Sequence, residues 1–300
     1  MGTAPVHDKP SLEQRLRGHV ATLAGTIGER NVWRPKALHA AADYIRTSLT
    51  SAGCAVVPQG YETQGVHCEN LEVTLPGRAG SGEVIVVGAH YDTVLGSPGA
   101  DDNASGVATL LEIARALGPR PLRRTVKLVA FVNEEPPFYF SRQMGSSVYA
   151  RAARQRGDDI RLMLSLEMLG SYSDAPGSQA YPPLLRWFYP DRGNFIAFVS
   201  NLRSRRALDA VVRAFRSRSK FPAERLASPA FVPGVAWSDQ WSFWRAGYRA
   251  LMVTDTAFYR YAHYHAASDT PEKIDYARMA RVADGLAKAV GTLADSARGL

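Results

Sequence analysis

Five short strings hold the side chains best suited to chemistry: His90-Tyr91-Asp92, Asp101-Asp102-Asn103, Asn133-Glu134-Glu135, Leu166-Glu167-Met168 and His263-Tyr264-His265. Their functional groups are imidazoles and carboxylates. Taken singly, each is ordinary: an isolated histidine is more often a hydrogen-bonded surface or core residue, and a lone Glu-Glu is more often a solvated face. The weight lies in their coincidence, because each stands beside the end of a short apolar run or in a loop that adjoins one. A buried carboxylate without a partner costs several kcal/mol. Several carboxylates and two histidines converging on one edge of a sheet therefore point to a divalent cation. Mixed imidazole and carboxylate ligation suits zinc, with manganese or cobalt as substitutes.

The elements that must position these groups are legible as hydrophobic patterns. Apolar runs occupy 83–89, 125–132, 162–166, 195–199 and 250–253, each short, continuous and rich in Val, Ile or Leu. That is the mark of strands buried on both faces, as in a mostly parallel sheet. Helical periodicity lies between and around them, at 105–117, 146–155, 206–216 and 276–297, and the whole stretch 11–52 reads as helical with Gly53 at its end. Strand and helix alternate, which predicts an α/β class with helices on both faces. No internal repeat, low-complexity linker or compositional break divides residues 1–300, so a single domain is expected. In such folds working residues collect where strands end and loops begin.

The strings GAHYDTV, GADDNASG, FVNEE, SLEMLG and YHAASDTP, in that order, resemble the M28 peptidase family, which includes bacterial aminopeptidases with two zinc ions in one site. The resemblance runs from about residue 27 to the last helix. It implies a three-layer α/β sandwich with a mixed, largely parallel central sheet, as in zinc exopeptidases. Residue by residue, it implies that His90 and Glu167 hold one zinc, that Glu135 and His265 hold the other, and that Asp102 bridges both. Glu167 stands where many relatives carry aspartate. His265 is favoured over His263 because it precedes the Ser-Asp-Thr-Pro turn. Asp92, two residues after His90, suits a carboxylate that accepts the second imidazole N–H and fixes its tautomer. Two metals that share a carboxylate can hold a hydroxide between them, with Glu134 as general base and then general acid. Tyr264 is expected to steady the oxyanion, and a cis peptide bond is expected after Asp102.

An aminopeptidase needs carboxylates near the metals for the free α-amine, and Glu134 and Glu167 are the candidates. A carboxypeptidase would need an arginine aimed at the substrate carboxylate. Two insertions, 136–144 and 171–194, leave the active edge of the sheet and are expected to wall the pocket. In the first, Phe138, Tyr139 and Phe140 are expected to contact the substrate side chain. Trp237-Ser238-Asp239-Gln240 lacks the histidine that often follows such an aspartate and takes no ligand role.

The net charge of +8 owes much to arginines between 203 and 220, which read as the solvated face of an amphipathic helix. No nucleic-acid recognition motif accompanies them, so peptides or aminoacyl compounds are the expected partners. Cys54 and Cys68 are expected as reduced thiols and are too few for a cysteine zinc cluster. No apolar run is long enough for a membrane span, and the N-terminus lacks a signal-peptide core, so a cytoplasmic location is expected. Two other readings remain: a glutaminyl cyclase with one zinc, disfavoured by the complete GADDNASG and Glu-Glu strings, and a non-catalytic binding module, disfavoured because no ligand position is empty.

Overall fold

Strand β3 (Glu83–His90) shows how the sequence builds the molecule. Every residue from Val84 to His90 is buried, and its side chains alternate between two cores. Ile85, Val87 and Ala89 pack into the larger core and Val84 and Val86 into the smaller. The computed structural model describes residues 10–78, 82–118, 120–183 and 185–297; the first nine residues, where a signal peptide was sought, lie outside them.

β3 is one of eight strands: β1 (Val56–Thr63), β2 (Val66–Leu75), β4 (Thr125–Phe131), β5 (Asp159–Glu167), β6 (Ile196–Ser200), β7 (Ala223–Ala227) and β8 (Ala250–Thr254) complete the sheet. The order is β1-β2-β4-β3-β5-β8-β6-β7. The four pairings β4/β3, β3/β5, β5/β8 and β6/β7 are parallel, and β1/β2, β2/β4 and β6/β8 are antiparallel. The sheet is thus mixed, as expected.

Among the described residues seven α-helices flank it: α1 (Leu12–Val20), α2 (Pro35–Ser51), α3 (Gly106–Leu117), α4 (Gly145–Arg156), α5 (Arg205–Arg218), α6 (Gln240–Arg245) and α7 (Tyr276–Asp295). Helices α1, α2, α3, α5 and α7 contribute to the larger core. Tyr149 of α4 and Phe243 of α6 close the smaller core on the other face. The result is three layers. Among the described residues no helix is long and apolar enough to cross a membrane.

The continuous helix expected over 11–52 is broken. After α1 the chain widens through Ala21–Ile27 and stops at Gly28, whose φ of 75° is left-handed, and α2 restarts at Pro35 in its first turn. A glycine stop followed by a proline start is a normal helix boundary. β1 and β2 lack the continuous apolar runs of the central strands: β1 carries Pro58 and Gly60, and β2 carries His67, Glu69, Asn70 and Glu72. They form a hairpin closed by Gln64 and Gly65, both at positive φ, as a two-residue turn requires.

The insertion at 136–144 departs from expectation. The Phe138 amide donates to the Glu135 carbonyl at 3.0 Å, and this tight turn folds the ring beneath the loop. Phe138 is 3% exposed, belongs to the larger core and stacks on Trp33; it does not face a substrate. Phe140 points outward, 43% exposed, between Tyr139 and Trp241. Tyr139 alone of the three lines the cavity described below. Urea unfolding should therefore separate them. Phe138→Ala, which empties a core position, is expected to cost about 3 kcal/mol, and Phe140→Ala under about 1 kcal/mol. Equal losses would contradict this placement.

Candidate metal centre

The five groups read as ligands meet at the carboxyl edge of the parallel strands. His90 ends β3 and Glu167 ends β5. Glu134 and Glu135 follow β4 after Asn133, which sits at φ 59°. Asp102 lies in a wide turn, Ala100–Ser105, between β3 and α3. His265, at φ 56°, stands in the loop between β8 and α7. The Asp102–Asn103 peptide bond is cis, as the resemblance implied.

Two sets of donor atoms result. His90 Nε2 lies 3.4 Å from Asp102 Oδ1 and 3.3 Å from Glu167 Oε2. His265 Nε2 lies 3.2 Å from Asp102 Oδ2 and 3.2 Å from Glu135 Oε2. Each oxygen of Asp102 thus faces a different histidine–glutamate pair. His90, Asp102 and Glu167 form one group whose donor atoms fit around a metal ion, and Asp102, Glu135 and His265 form another. Glu134 belongs to neither of these two; it lies 4.0 Å from His90 Nε2, forms a third such group with His90 and Glu135, and lines the cavity. His263 turns away and pairs with Ser268.

These residues fit zinc. Tetrahedral ligation at about 2.0–2.1 Å sets ligand atoms roughly 3.3 Å apart, and the four separations above match that edge. His90 Nε2, Asp102 Oδ1 and Glu135 Oε1 are buried and make no hydrogen bond, which is costly unless a cation satisfies them. The acid–base balance agrees. Burial raises the carboxyls of Glu134 and Glu167 and lifts Glu135 to about 7. Burial opposes charge on His265, yet hydrogen bonds to Asp102 and Glu135 raise it to about 10. Such groups gather protons when no metal is bound, and a divalent cation displaces those protons.

A framework unread in the sequence holds the donors. The Asp92 carboxylate lies 3.6 Å from His90 Nδ1, whose hydrogen bond runs instead to the Asp92 backbone carbonyl at 3.3 Å. The carboxylate accepts the backbone N–H groups of Glu134 and Glu135 at 3.0 and 3.1 Å. Asp269, in the turn after His265, accepts the N–H groups of Asp101 and Asp102 at 2.9 and 3.1 Å, and the Tyr261 hydroxyl at 2.7 Å. Ser238 donates to Glu167 Oε2 at 2.6 Å, so the Trp237–Gln240 segment steadies a donor without being one. Arg30, fully buried, donates to the carbonyls of Leu23, Gly28, Tyr91, Pro98 and Gly99. It ties the N-terminal helical segment to the loop between His90 and Asp102. No local motif marks these contacts, since most join residues far apart in sequence.

Nine residues line the cavity over the donors: Asp102, Glu134, Glu135, Glu167 and His265 at its base, with Pro136, Tyr139, Trp237 and Tyr264 around them. None is an arginine or lysine. The Tyr264 ring stacks on His265, with centroids 3.8 Å apart. Glu167, Trp237 and Tyr264 also line a second, mainly apolar cavity, walled partly by Tyr181, Leu185 and Tyr189 of the 171–194 insertion. Trp187 and Phe188 of that insertion are exposed. Cys54 and Cys68 are buried free thiols.

A mixed sheet with imidazoles and carboxylates gathered at its strand ends defines a metal-dependent hydrolase of the α/β sandwich class. The chain belongs to peptidase family M28, which matches residues 70–290. It is 39% identical to the uncharacterized protein YfbL of Escherichia coli over 95% of this chain and 88% of that one. Leucine aminopeptidase 1 of Fusarium vanettenii is 27% identical over 73% of this chain, which spans about half (54%) of that protein. Among solved structures, BSAP, a zinc aminopeptidase from Bacillus subtilis, superposes with TM-score 0.75 at 15% identity, covering 96% of each chain. A glutaminyl cyclase from Porphyromonas gingivalis shares the fold at TM-score 0.67 and 19% identity, over 94% of this chain and 99% of that one.

The framework is open to test at Arg30. Lysine keeps the charge but cannot reproduce the planar fork, so several buried carbonyls lose their donor. Arg30→Lys is expected to destabilise the metal-free protein by about 3 kcal/mol or more in denaturant titration. A loss near zero would show that the fork does not hold the loop.

Proposed function

We propose that the chain is a two-zinc aminopeptidase that removes N-terminal residues from peptides. The observation that carries this reading is Asp102, whose two oxygens face separate histidine–glutamate pairs. In it, His90 and Glu167 hold one zinc, Glu135 and His265 hold the second, and Asp102 serves both. Bound zinc supplies Lewis acidity toward the scissile carbonyl and toward water.

The chain's own residues do the rest. Glu134 lies beside the donor sets and its carboxyl is raised by burial, which suits a group that takes a proton from the attacking water and returns it to the leaving amine. Asp92 fixes Glu134 through its backbone N–H, so the base is aimed by the same carboxylate that lies against His90. The free α-amine of a peptide finds Glu134 and Glu167 at the cavity wall. Among the described residues no arginine or lysine lines that cavity, which argues against a carboxypeptidase, since that must neutralise a terminal carboxylate. In this reading Tyr264, which lines the cavity and stacks on His265, donates to the developing oxyanion. A glutaminyl cyclase, the second reading, rests on the shared fold, but a single-zinc site leaves one oxygen of Asp102 and one of the two histidine–glutamate pairs without a role.

Metal analysis separates the two. Apo-protein titrated with zinc and then dialysed is expected to retain two zinc ions per chain, and Asp102→Asn to lose at least one. A limit of one zinc in the native protein would favour the cyclase. Glu134→Gln preserves the shape and removes the base; it should keep its zinc and lose at least ~10²-fold in kcat on aminoacyl amides. Near-normal turnover in a zinc-replete Glu134→Gln protein would remove Glu134 from the mechanism.

A further inference from the structure

The second cavity has an empty volume of about 840 Å³, part of it open to solvent, and its floor follows the sheet register. Glu167 of β5 pairs with Thr254 of β8, Thr254 with Ala197 of β6, and Ala197 with Glu224 of β7. All four line the cavity. Laterally paired residues share a face of a sheet, and neighbouring strands lie about 4.8 Å apart, so the row spans roughly 14 Å of backbone from Glu167 to Glu224. Beside the row on the same face, Met252, Val199 and Leu226 add apolar surface. Tyr181 and Tyr189 stand over the β7 end, and Trp237, Phe258 and Tyr264 stand nearer the metal centre. The trough therefore starts at a proposed zinc donor, crosses apolar ground and ends at a carboxylate.

Glu224 is unusual in its setting. It is half-buried on an edge strand, and burial pushes its carboxyl up. Among the described residues Arg216 is the cation that acts on it, from beyond ion-pair distance, and the Arg216 guanidinium donates to the Ala223 carbonyl. Arg225 also lines the cavity, where its carbonyl accepts from the Tyr189 hydroxyl, but its guanidinium is paired with Asp209 of α5. An apolar side chain lying along the trough would complete the desolvation of an unpaired carboxylate, which is costly. A side chain with an aliphatic stem and a cationic tip would bury the stem against the floor and pair the tip.

We propose that this trough selects peptides with lysine or arginine at the N-terminus, the stem lying over Thr254 and Ala197 and the cation meeting Glu224. The proposal rests on the aminopeptidase reading for the placement of the scissile bond at the metal centre, but the binding it describes is measurable apart from hydrolysis. Leucine and valine are too short to reach β7, so Glu224 discriminates among long side chains, and methionine is the uncharged comparison of similar length.

The test has two arms. With zinc-loaded protein, kcat/KM is measured on Lys, Arg, Met and Leu aminoacyl coumarin amides for the native chain and for Glu224→Gln. The ratio of Lys to Met is expected to fall by at least ~10-fold in the variant, mostly through KM, as loss of a charge-assisted contact requires. A ratio unchanged by Glu224→Gln, or a native preference for Met and Leu over both Lys and Arg, overturns the proposal and leaves the aminopeptidase reading standing. In the second arm, calorimetry compares binding of lysinamide and norleucinamide to the metal-free protein. Tighter binding of lysinamide that Glu224→Gln abolishes supports the trough even if no amide is cleaved, a result that would sink only the aminopeptidase reading. Equal binding of the two amides overturns the proposal.

Discussion

Crowding of negative charge is the constraint on which the rest of this structure depends. Asp102, Glu134, Glu135 and Glu167 share one cavity wall, and Asp92 lies within 3.6 Å of the histidine they surround. Carboxylates so close repel one another and lose solvation, so in a bare site Glu134, Glu135 and Glu167 are pushed toward their protonated forms, while hydrogen bonds to His265 and His90 keep Asp102 ionised. A fold that keeps them together must supply positive charge and fixed dipoles. Zinc is the obvious source of the first. The second is built from backbone. Asp92 gathers the N–H groups of Glu134 and Glu135, and Asp269 gathers those of Asp101 and Asp102. In both cases a carboxylate that takes no part in the two donor sets orders the segment bearing one that does. Arg30 adds a buried cation whose N–H groups are all directed at carbonyls of the surrounding loops.

This arrangement explains why the site sits where it does. Parallel strands β3, β4, β5 and β8 end at one edge, and the chain must turn sharply as each leaves the sheet. Asn133 and Met168, next to Glu134 and Glu167, adopt positive φ to make that turn, as does His265 itself. Residues other than glycine adopt this conformation where the surroundings enforce it. Here the enforcing contacts are visible: Met168 N–H donates to Asn103, Gly170 N–H donates to Asp101, and Glu134 N–H donates to Asp92.

The donor set was legible in sequence because a buried apolar strand that stops at His90, or at Glu167, breaks the normal segregation of polar and apolar residues. The central strands and α3, α4, α5 and α7 were legible for a related reason, their continuous or periodic burial. β1, at the sheet edge, is mixed in composition and broken by Pro58 and Gly60, and β2 carries His67, Glu69, Asn70 and Glu72, so neither shows a continuous apolar run. The clamps were invisible because Asp269 acts 167 residues away from Asp102 and Arg30 acts through carbonyls, which every residue possesses. Phe138 was misread for a similar reason. An aromatic after Glu-Glu-Pro-Pro can face either side of its loop, and in the fold it turns inward to the larger core and Trp33.

The same logic bears on the selectivity proposed for the second cavity. A loop beginning at the residue after a metal donor seemed the natural wall of a specificity pocket, yet two of its three aromatics are used elsewhere, one in the core and one at the surface. The room for a side chain lies on the other flank, where β8, β6 and β7 extend the sheet beyond β5. The antiparallel pairing of β6 with β8 is what brings this about. It reverses the chain, so that the start of β6, rather than its end, comes level with Glu167 and Thr254. β7 then runs parallel to β6 and sets Glu224, near its own beginning, on the same row. Residues from opposite ends of their strands thus form one continuous floor beside the metal centre, and the 171–194 insertion, which enters β6 from that end, lies over it. The reach of the trough follows from strand order and register.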